Sequence, residues 1–475
     1  MRRRKQAQEH AHFLLGAVES KATVSEGGQE ERYEQNRLMG QETESTVPIR
    51  AKQDSATLEW VETSVWTERM LATLDRGVKG GKWFSLIDKV YKPKTLWRAW
   101  QQVKSKRGAS GIDRMSIERF ERKAEAYLDE LSTSLREQQY QVSAVRRVYI
   151  PKGKGRRRPL GIPTIKDRIV QTALRKVIEP IFEHEFCDES YGFRPGRGCK
   201  DALRAVDGWL KAGYCHVVDA DIASYFDSIP HRALMEHVEA RISDGRLLKL
   251  LEEYLQQSVM DGLEQWVPTA GTPQGAVLSP LLANIYLHPL DQLLSGRDEV
   301  KLVRYADDFV VLCRTQAGAE SVLTEVRDWM TQNELTLHPE KTHIGDCREA
   351  GQGFEFLGYR FESGKRLIRH KSKMALRDRV RRLTKRNRGG SLEQVVAELN
   401  PVLRGWFHYF KHAHHREFMP LDRFIRRRLR AMLLRRNKRK GFGTNLYAHM
   451  TWKIAYFSEL GLFTLMDARM SLCQS

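Results

Sequence analysis

Lys301-Leu302-Val303-Arg304-Tyr305-Ala306-Asp307-Asp308-Phe309-Val310-Val311-Leu312 sets two apolar, β-rich runs on either side of a tight turn that carries adjacent carboxylates. Val and Leu on both flanks read as the strands of a buried hairpin, with the polar residues between them as its turn. The two aspartates are thereby forced to a sheet edge, where they can meet a metal ion. A purely structural role is costly, because neighbouring buried acids without a cation repel and shift each other's pKa. An isolated Asp-Asp pair is most often a solvated turn. The meaning of this one depends on the rest of the chain.

At 475 residues the chain is too long for one ordinary core, and its length suggests about three domains. A hydrophobic fraction of 41% fits a soluble globular protein. No uninterrupted apolar stretch reaches the ~18 residues of a membrane helix. The best candidate, residues 276–290, is broken by Ser279, Pro280, Asn284 and His288, so no membrane partner is expected. Arg2, Arg3 and Arg4 are followed by Gln, Glu and His rather than an apolar segment, which argues against a secretory signal. The six cysteines, Cys187, Cys199, Cys215, Cys313, Cys347 and Cys473, form no Cys-x-x-Cys, so neither a disulfide framework nor a zinc ribbon is indicated and a reducing cytoplasm fits. The net charge of +20 is unevenly placed: residues 365–441 hold 25 Lys and Arg against 5 Asp and Glu, a surplus equal to the whole net charge. Such a concentration suits a polyanion-binding surface, since each phosphate contact gains through released counterions.

Residues 1–57 are polar and poor in aromatics, which predicts a disordered leader. A helical N-terminal extension is expected over 58–140. Val61, Val65, Met70, Leu71 and Leu74, then Trp83, Phe84, Ile87 and Val90, recur at helical spacing, and a helix is predicted over 116–136. Val148-Tyr149-Ile150-Pro151, the basic stretch Lys152 to Arg158, and Pro159-Leu160-Gly161-Ile162 read as strand, flexible cationic turn, strand. Its Lys and Arg can clamp an incoming triphosphate. Tyr191-Gly192-Phe193-Arg194-Pro195 mixes aromatic and guanidinium planes, both of which stack on bases. The competing reading is a core Phe with surface arginines.

His216 to Ile222 alternates toward a strand, which puts Asp219 and Asp221 on one face. Two-metal phosphoryl transfer needs carboxylates converging from two elements, so that one cation activates the attacking hydroxyl and the other steadies the leaving pyrophosphate. Asp221 with Asp307 and Asp308 would supply the set, although spacing alone leaves Asp219 equally eligible. Asp227 reads as a helix N-cap.

Taken together, Ile150-Pro151-Lys152, Arg158-Pro159-Leu160-Gly161-Ile162-Pro163, Gly192-Phe193-Arg194-Pro195, Asp221 with Phe226, Thr272-Pro273-Gln274-Gly275, Leu278 to Asn284, and Tyr305-Ala306-Asp307-Asp308 follow one another in the order of a known family. From about Trp83 onward the chain resembles a bacterial group II intron-encoded reverse transcriptase and maturase. The resemblance selects Asp221 and implies that Asp221, Asp307 and Asp308, with Ile222 beside them in the metal set, hold two magnesium ions. It implies that Lys152 and Arg158 contact the triphosphate, and that Phe193, Arg194, Gln274 and Gly275 line the nucleotide and template site. Phe226 resembles a steric gate, excluding a 2′-hydroxyl. Lys341 matches a palm lysine that donates a proton to pyrophosphate, and Phe356-Leu357-Gly358 resembles the primer grip.

The implied fold is α+β, a right-hand polymerase with fingers and palm over 141–362 and a basic helical thumb over 363–441. Asn400-Pro401 reads as the start of a helix striped by Val402, Leu403, Trp406, Phe407 and Phe410. In the next helix Leu421, Phe424, Ile425, Leu429, Met432 and Leu433 share one face, with Arg426, Arg427, Arg430, Arg435 and Arg436 mostly on the other. With Arg404, those arginines are expected to bind intron RNA. His408, His412, His414 and His415 have no nearby cysteine, so RNA contact or solvation is preferred over zinc. Residues 442–475 are expected to be a short extension, DNA-binding or closing the thumb, without the endonuclease that many relatives carry. The expected function is RNA-directed DNA synthesis with help in splicing the parent intron RNA and in its mobility. The expected partners are that RNA, an RNA template with a DNA primer, deoxynucleoside triphosphates and a DNA target, in a bacterial cytoplasm and at the nucleoid. A domesticated or defence-associated enzyme acting on another RNA is the alternative, and a purely RNA-binding splicing factor is disfavoured by the intact aspartates.

Overall fold

The computed structural model describes residues 60–474 apart from 64, 79, 154 and 155, together with side chains other than those of 152, 153, 156, 473 and 474. The expected leader over 1–57 and the side chain of Lys152 lie outside the described residues. The described residues divide into two compact units, the first comprising those up to 214 with 220–343, the second 215–219 with those from 344 onward. Both mix helices with strands, in keeping with the expected α+β class. Among the described residues no helix is long and apolar enough to cross a membrane.

The first unit contains β1 (Val145–Gly153), β2 (Arg156–Ile162), the end of β3 (His216–Asp221), β4 (Val259–Asp261), β5 (Glu264–Trp266), β6 (Val300–Tyr305) and β7 (Asp308–Cys313). The predicted cationic hairpin is present: β1 and β2 pair antiparallel from Arg146↔Ile162 to Gly153↔Arg156, with a register shift between Pro151 and Gly153. The sheet order is β2-β1-β4-β5. β6 and β7 pair from Val300↔Cys313 to Tyr305↔Asp308, so Ala306 and Asp307 alone form the turn. Two long helices complete the core of this unit, the second packed against β6. Ile165–Glu183 is capped by Thr164, whose hydroxyl accepts from Asp167 N, and it buries Ile169, Val170, Leu174 and Val177. Ser279–Leu294 is buried along most of its length.

The N-terminal part is helical but more broken than its apolar spacing suggests. Helices occupy Glu68–Arg76, Ile87–Val90, Pro93–Ser105, Ile117–Glu121 and Ala124–Arg136. Trp83 lies outside them, bridging to Ile242 in extended form.

The second unit holds β8 (His343–Asp346), which begins at the last residue of the first unit, then β9 (Phe354–Phe356), β10 (Tyr359–Glu362) and β11 (Lys365–Ile368), followed by helices. Asn400-Pro401 does not start a helix as expected. Both residues lie inside Leu392–Phe410, which is capped by Ser391 in a reciprocal box with Gln394. Proline forfeits one internal hydrogen bond there. The Asn400 side chain instead clamps the following segment, donating to Gly461 O at 2.8 Å and accepting from Phe463 N at 2.8 Å. The C-terminal segment packs back on its own unit, burying Trp452, Phe457, Leu462 and Leu465.

Candidate active site

Ala306, the first residue of the β6–β7 turn, has φ +61°, a left-handed backbone that costs a residue with a Cβ about 1–2 kcal/mol. The turn is held from beneath. Arg304, 0% exposed, donates from Nη1 to Ala306 O at 2.9 Å and to Asn284 Oδ1 at 2.9 Å. Its Nε and Nη2 form a fork on the Asp291 carboxylate at 2.6 and 2.5 Å. Asn284 in turn donates to Gly192 O at 2.8 Å. The loop at Gly192 lies so close to the turn that an added Cβ would stand 2.2 Å from Ala306 N, which explains why glycine occupies the position. Tyr191 N donates to Arg304 O, and Arg304 N to Glu189 O. The aspartate turn is thus fixed by a buried guanidinium, a helix amide and a glycine loop.

Asp307 and Asp221 are brought into electrostatic contact. Burial pushes the Asp307 carboxyl above its usual range and the negative charge of Asp221 adds to the shift, whereas Arg158 and Lys341 oppose it. Lys341 Nζ makes a direct ion pair with Asp221 Oδ2. The β3 end is secured by His338 N donating to Asp221 O at 2.7 Å, and Ile222, buried, bridges to Leu337. Among the described residues no three His, Cys, Asp or Glu are gathered into a ready ligand cluster. The donor chemistry still suits a divalent cation: hard carboxylate oxygens, one of them in a site where burial and a like charge favour an added positive charge. Lys341 supplies that charge to Asp221. Asp219, the other candidate by spacing, accepts instead from Glu355 N at 3.3 Å.

A second cluster surrounds Gln274. Arg158 Nε donates to Gln274 Oε1 at 2.8 Å, and Gln274 Nε2 donates to Asp227 Oδ2 at 3.0 Å. Gly161 N donates to Gln274 O at 2.7 Å. Gly275 has φ +106°, and an added Cβ would stand 2.6 Å from Gly161 O, so no larger residue fits. Asp227 is not an N-cap; it is the third residue of the short helix Tyr225–Ser228, whose N-cap position is Ser224, and its carboxylate faces Gln274. Phe226 sits beside it, half-buried, with Thr272 N donating to its carbonyl at 2.6 Å.

The Phe193-Arg194 pair, expected to line the nucleotide and template site together, divides, and it also inverts the competing reading of a core ring with a surface charge. Phe193 is 39% exposed, its φ at +61°, whereas Arg194 is 5% exposed. Arg194 donates to Glu183 and to the carbonyls of Cys187 and Ser190. It is therefore a loop clasp with no face left for template, while Phe193 is available.

In the second unit, Phe356 is buried and Leu357 takes φ +46°. Leu357 O accepts from Tyr409 Oη at 2.8 Å, and Gly358 O accepts from Arg369 N at 3.0 Å. Arg404, Arg427, Arg435 and Arg436 are exposed and Arg426 is half-buried. Arg430 departs from the expected cationic face: it is 4% exposed, donates to Trp452 O at 3.0 Å and stacks over Phe457. Sequence reasoning missed Arg304 and Asp291. Their only signal was the placement of charged residues within otherwise apolar elements.

A family model described as reverse transcriptase (RNA-dependent DNA polymerase) matches residues 150–361, and one described as group II intron, maturase-specific domain matches residues 373–450. Protein YkfC of Escherichia coli (strain K12) is 35% identical over 331 residues, covering 61% of this chain and 84% of that protein. Group II intron-encoded protein LtrA of Lactococcus lactis subsp. cremoris is 37% identical over 206 residues, covering 43% of this chain and 34% of LtrA. A chain of a solved partial Cas6-RT-Cas1–Cas2 complex is 26% identical, with 55% of this chain and 43% of that chain covered and a TM-score of 0.35.

Proposed function

This chain belongs to the group II intron-encoded reverse transcriptase and maturase family and is an RNA-directed DNA polymerase; from that premise we propose that it binds its parent intron RNA, assists its splicing and copies it into DNA during mobility, with Asp221, Asp307 and Asp308 as the catalytic carboxylates. The observation that carries the catalytic part is the half-buried Asp307 on a rigidly held turn, its carboxyl pushed up by burial and by the charge of Asp221. Two magnesium ions on these carboxylates, with Ile222 beside them, would activate the primer hydroxyl and neutralise charge on the leaving pyrophosphate. The residues of the chain position the reactants. Lys152, Arg158, Gln274 and Gly275 hold the nucleotide against the template, with Phe193 at the template side. Phe226 stacks beneath the sugar and rejects a 2′-hydroxyl. Lys341, which pairs with Asp221, would give a proton to the leaving pyrophosphate. Phe356, Leu357 and Gly358 support the primer. Arg404, Arg426, Arg427, Arg435 and Arg436 bind RNA phosphates, which supports a scaffold role in splicing in which the RNA performs the transesterification.

Single-nucleotide extension of a DNA primer on an RNA template tests the catalytic assignment. Asp307→Asn and Asp308→Asn are each expected to lower kcat roughly a thousandfold, the several kcal/mol that a lost metal interaction is worth. Extension that survives either substitution within a few-fold would reject it.

A further inference from the structure

Gln274 is held between two groups of opposite hydrogen-bonding character. Arg158 can only donate and meets Oε1 at 2.8 Å; the Asp227 carboxylate, when ionised, can only accept and meets Nε2 at 3.0 Å. The two ends of a glutamine amide are nearly alike in shape, so its orientation is decided by its partners. Here neither partner tolerates the flipped form, which would set two donors against each other at one end and two acceptors at the other. The amide plane is therefore locked, and one N–H and one oxygen lone pair stay free to meet a ligand.

The backbone on both sides is locked as well. Thr272 N donates to Phe226 O at 2.6 Å and Gly271 N to Ile229 O at 2.8 Å, so the segment before Gln274 is stitched to the residues flanking Asp227. Asp227 also lies within the influence of Arg147 and Arg158. It is thus a negative charge placed beside Arg158, one of the cations that would receive a triphosphate. An acid at such a place weakens anion binding through its charge, and its presence needs an offsetting gain. Orientation of Gln274 and Arg158 supplies one.

We propose that Asp227 is a positioning residue that fixes the Gln274 amide and, through it, the Arg158 guanidinium as one rigid donor set for the incoming nucleoside triphosphate. The inference rests on the reverse transcriptase reading above and goes beyond it by assigning a role to a carboxylate outside the metal set. Asp227 makes no contact with the substrate; it sets the state of the groups that do.

The test is steady-state incorporation of one deoxynucleotide on an RNA template and DNA primer, with full-length wild type, Asp227→Ala, Asp227→Asn, Gln274→Ala and the Asp227→Ala/Gln274→Ala double variant. Loss of one charge-assisted hydrogen bond predicts that Asp227→Ala raises the nucleotide KM by about tenfold with a much smaller change in kcat. Asp227→Asn keeps an acceptor for Nε2 and is expected to fall between wild type and the alanine variant. It also keeps the test open should the alanine variant fail to fold. The double variant is expected to be no worse than Gln274→Ala, because both changes remove one linkage. Effects of Asp227→Ala and Gln274→Ala on KM that multiply, a loss confined to kcat, or an unchanged KM in both Asp227 variants would overturn the proposal. Failure of wild type itself to extend the primer would instead overturn the reading on which it rests.

Discussion

Asp307 carries a cost in the metal-free protein. Its carboxyl is pushed up chiefly by burial, so its ionised form is disfavoured in the folded state relative to the unfolded one. Where a folded pKa is raised, the associated stability is full below the unfolded pKa and is lost as pH rises through the folded value. With a chelator present, stability is therefore expected to fall as pH climbs from the ordinary aspartate range through the raised value. Asp307→Asn, neutral throughout, should flatten that fall and melt higher than wild type at neutral pH. Thermal unfolding across pH measures it, and added magnesium should stabilise wild type more than the variant. Equal pH slopes for the two would contradict the assignment. The position of Asp307 was legible in the sequence because apolar runs on both sides leave a two-residue turn nowhere else to go. Arg194 was not legible: a loop arginine beside a Phe reads as surface, and only its fit among Glu183 and the Cys187 and Ser190 carbonyls makes burial favourable.

The β6–β7 hairpin shows how an element is kept in a strained form. Arg304 is a long polar side chain in a buried strand, satisfied by Asp291, Asn284 and the carbonyl of Ala306. Removal of one partner leaves an uncompensated buried charge, so Asp291→Ala or Arg304→Ala is expected to cost about 3–5 kcal/mol of stability. Denaturant unfolding checks the size, and a cost under about 1 kcal/mol, the range of an exposed pair, would contradict the clamp. Periodicity gave the strands here but said nothing of the clamp, because a hydrogen-bonded network joining residues 192, 284, 291 and 304 is a tertiary fact. The helix Leu392–Phe410 carries a similar lesson. Its Ser391-Leu392-Glu393-Gln394 capping box marks the true start, whereas Asn400-Pro401 carries the local signature of a start although it lies inside the helix. Tertiary packing and the clamp on residues 461 and 463 outweigh the hydrogen bond that proline forfeits.

Across the whole molecule, the surplus of 20 positive charges in residues 365–441 is only partly a surface for polyanions. Arg386, Arg428 and Arg430 spend their donors on backbone carbonyls, and Arg388 pairs with Glu398. Counting residues therefore overstates the phosphate contacts. If all 25 Lys and Arg met phosphates, the slope of log affinity against log salt would approach roughly −17, at about 0.7 per contact on single-stranded RNA. The measured slope for the parent RNA is expected to be well under half of that. A value near the full figure would mean that the internal partners are given up on binding.

The family matches fall on separate stretches, residues 150–361 and 373–450, and the proposed splicing role does not require the metal carboxylates. The most direct test is splicing of a precursor RNA containing the parent intron at low magnesium, with no protein, wild type, or the Asp307→Ala/Asp308→Ala variant, alongside primer extension by the same preparations. Wild type and the variant are both expected to promote splicing, while only wild type extends the primer. Primer extension by wild type with no help to splicing from either protein would contradict the maturase role and point to a reverse transcriptase serving a different RNA.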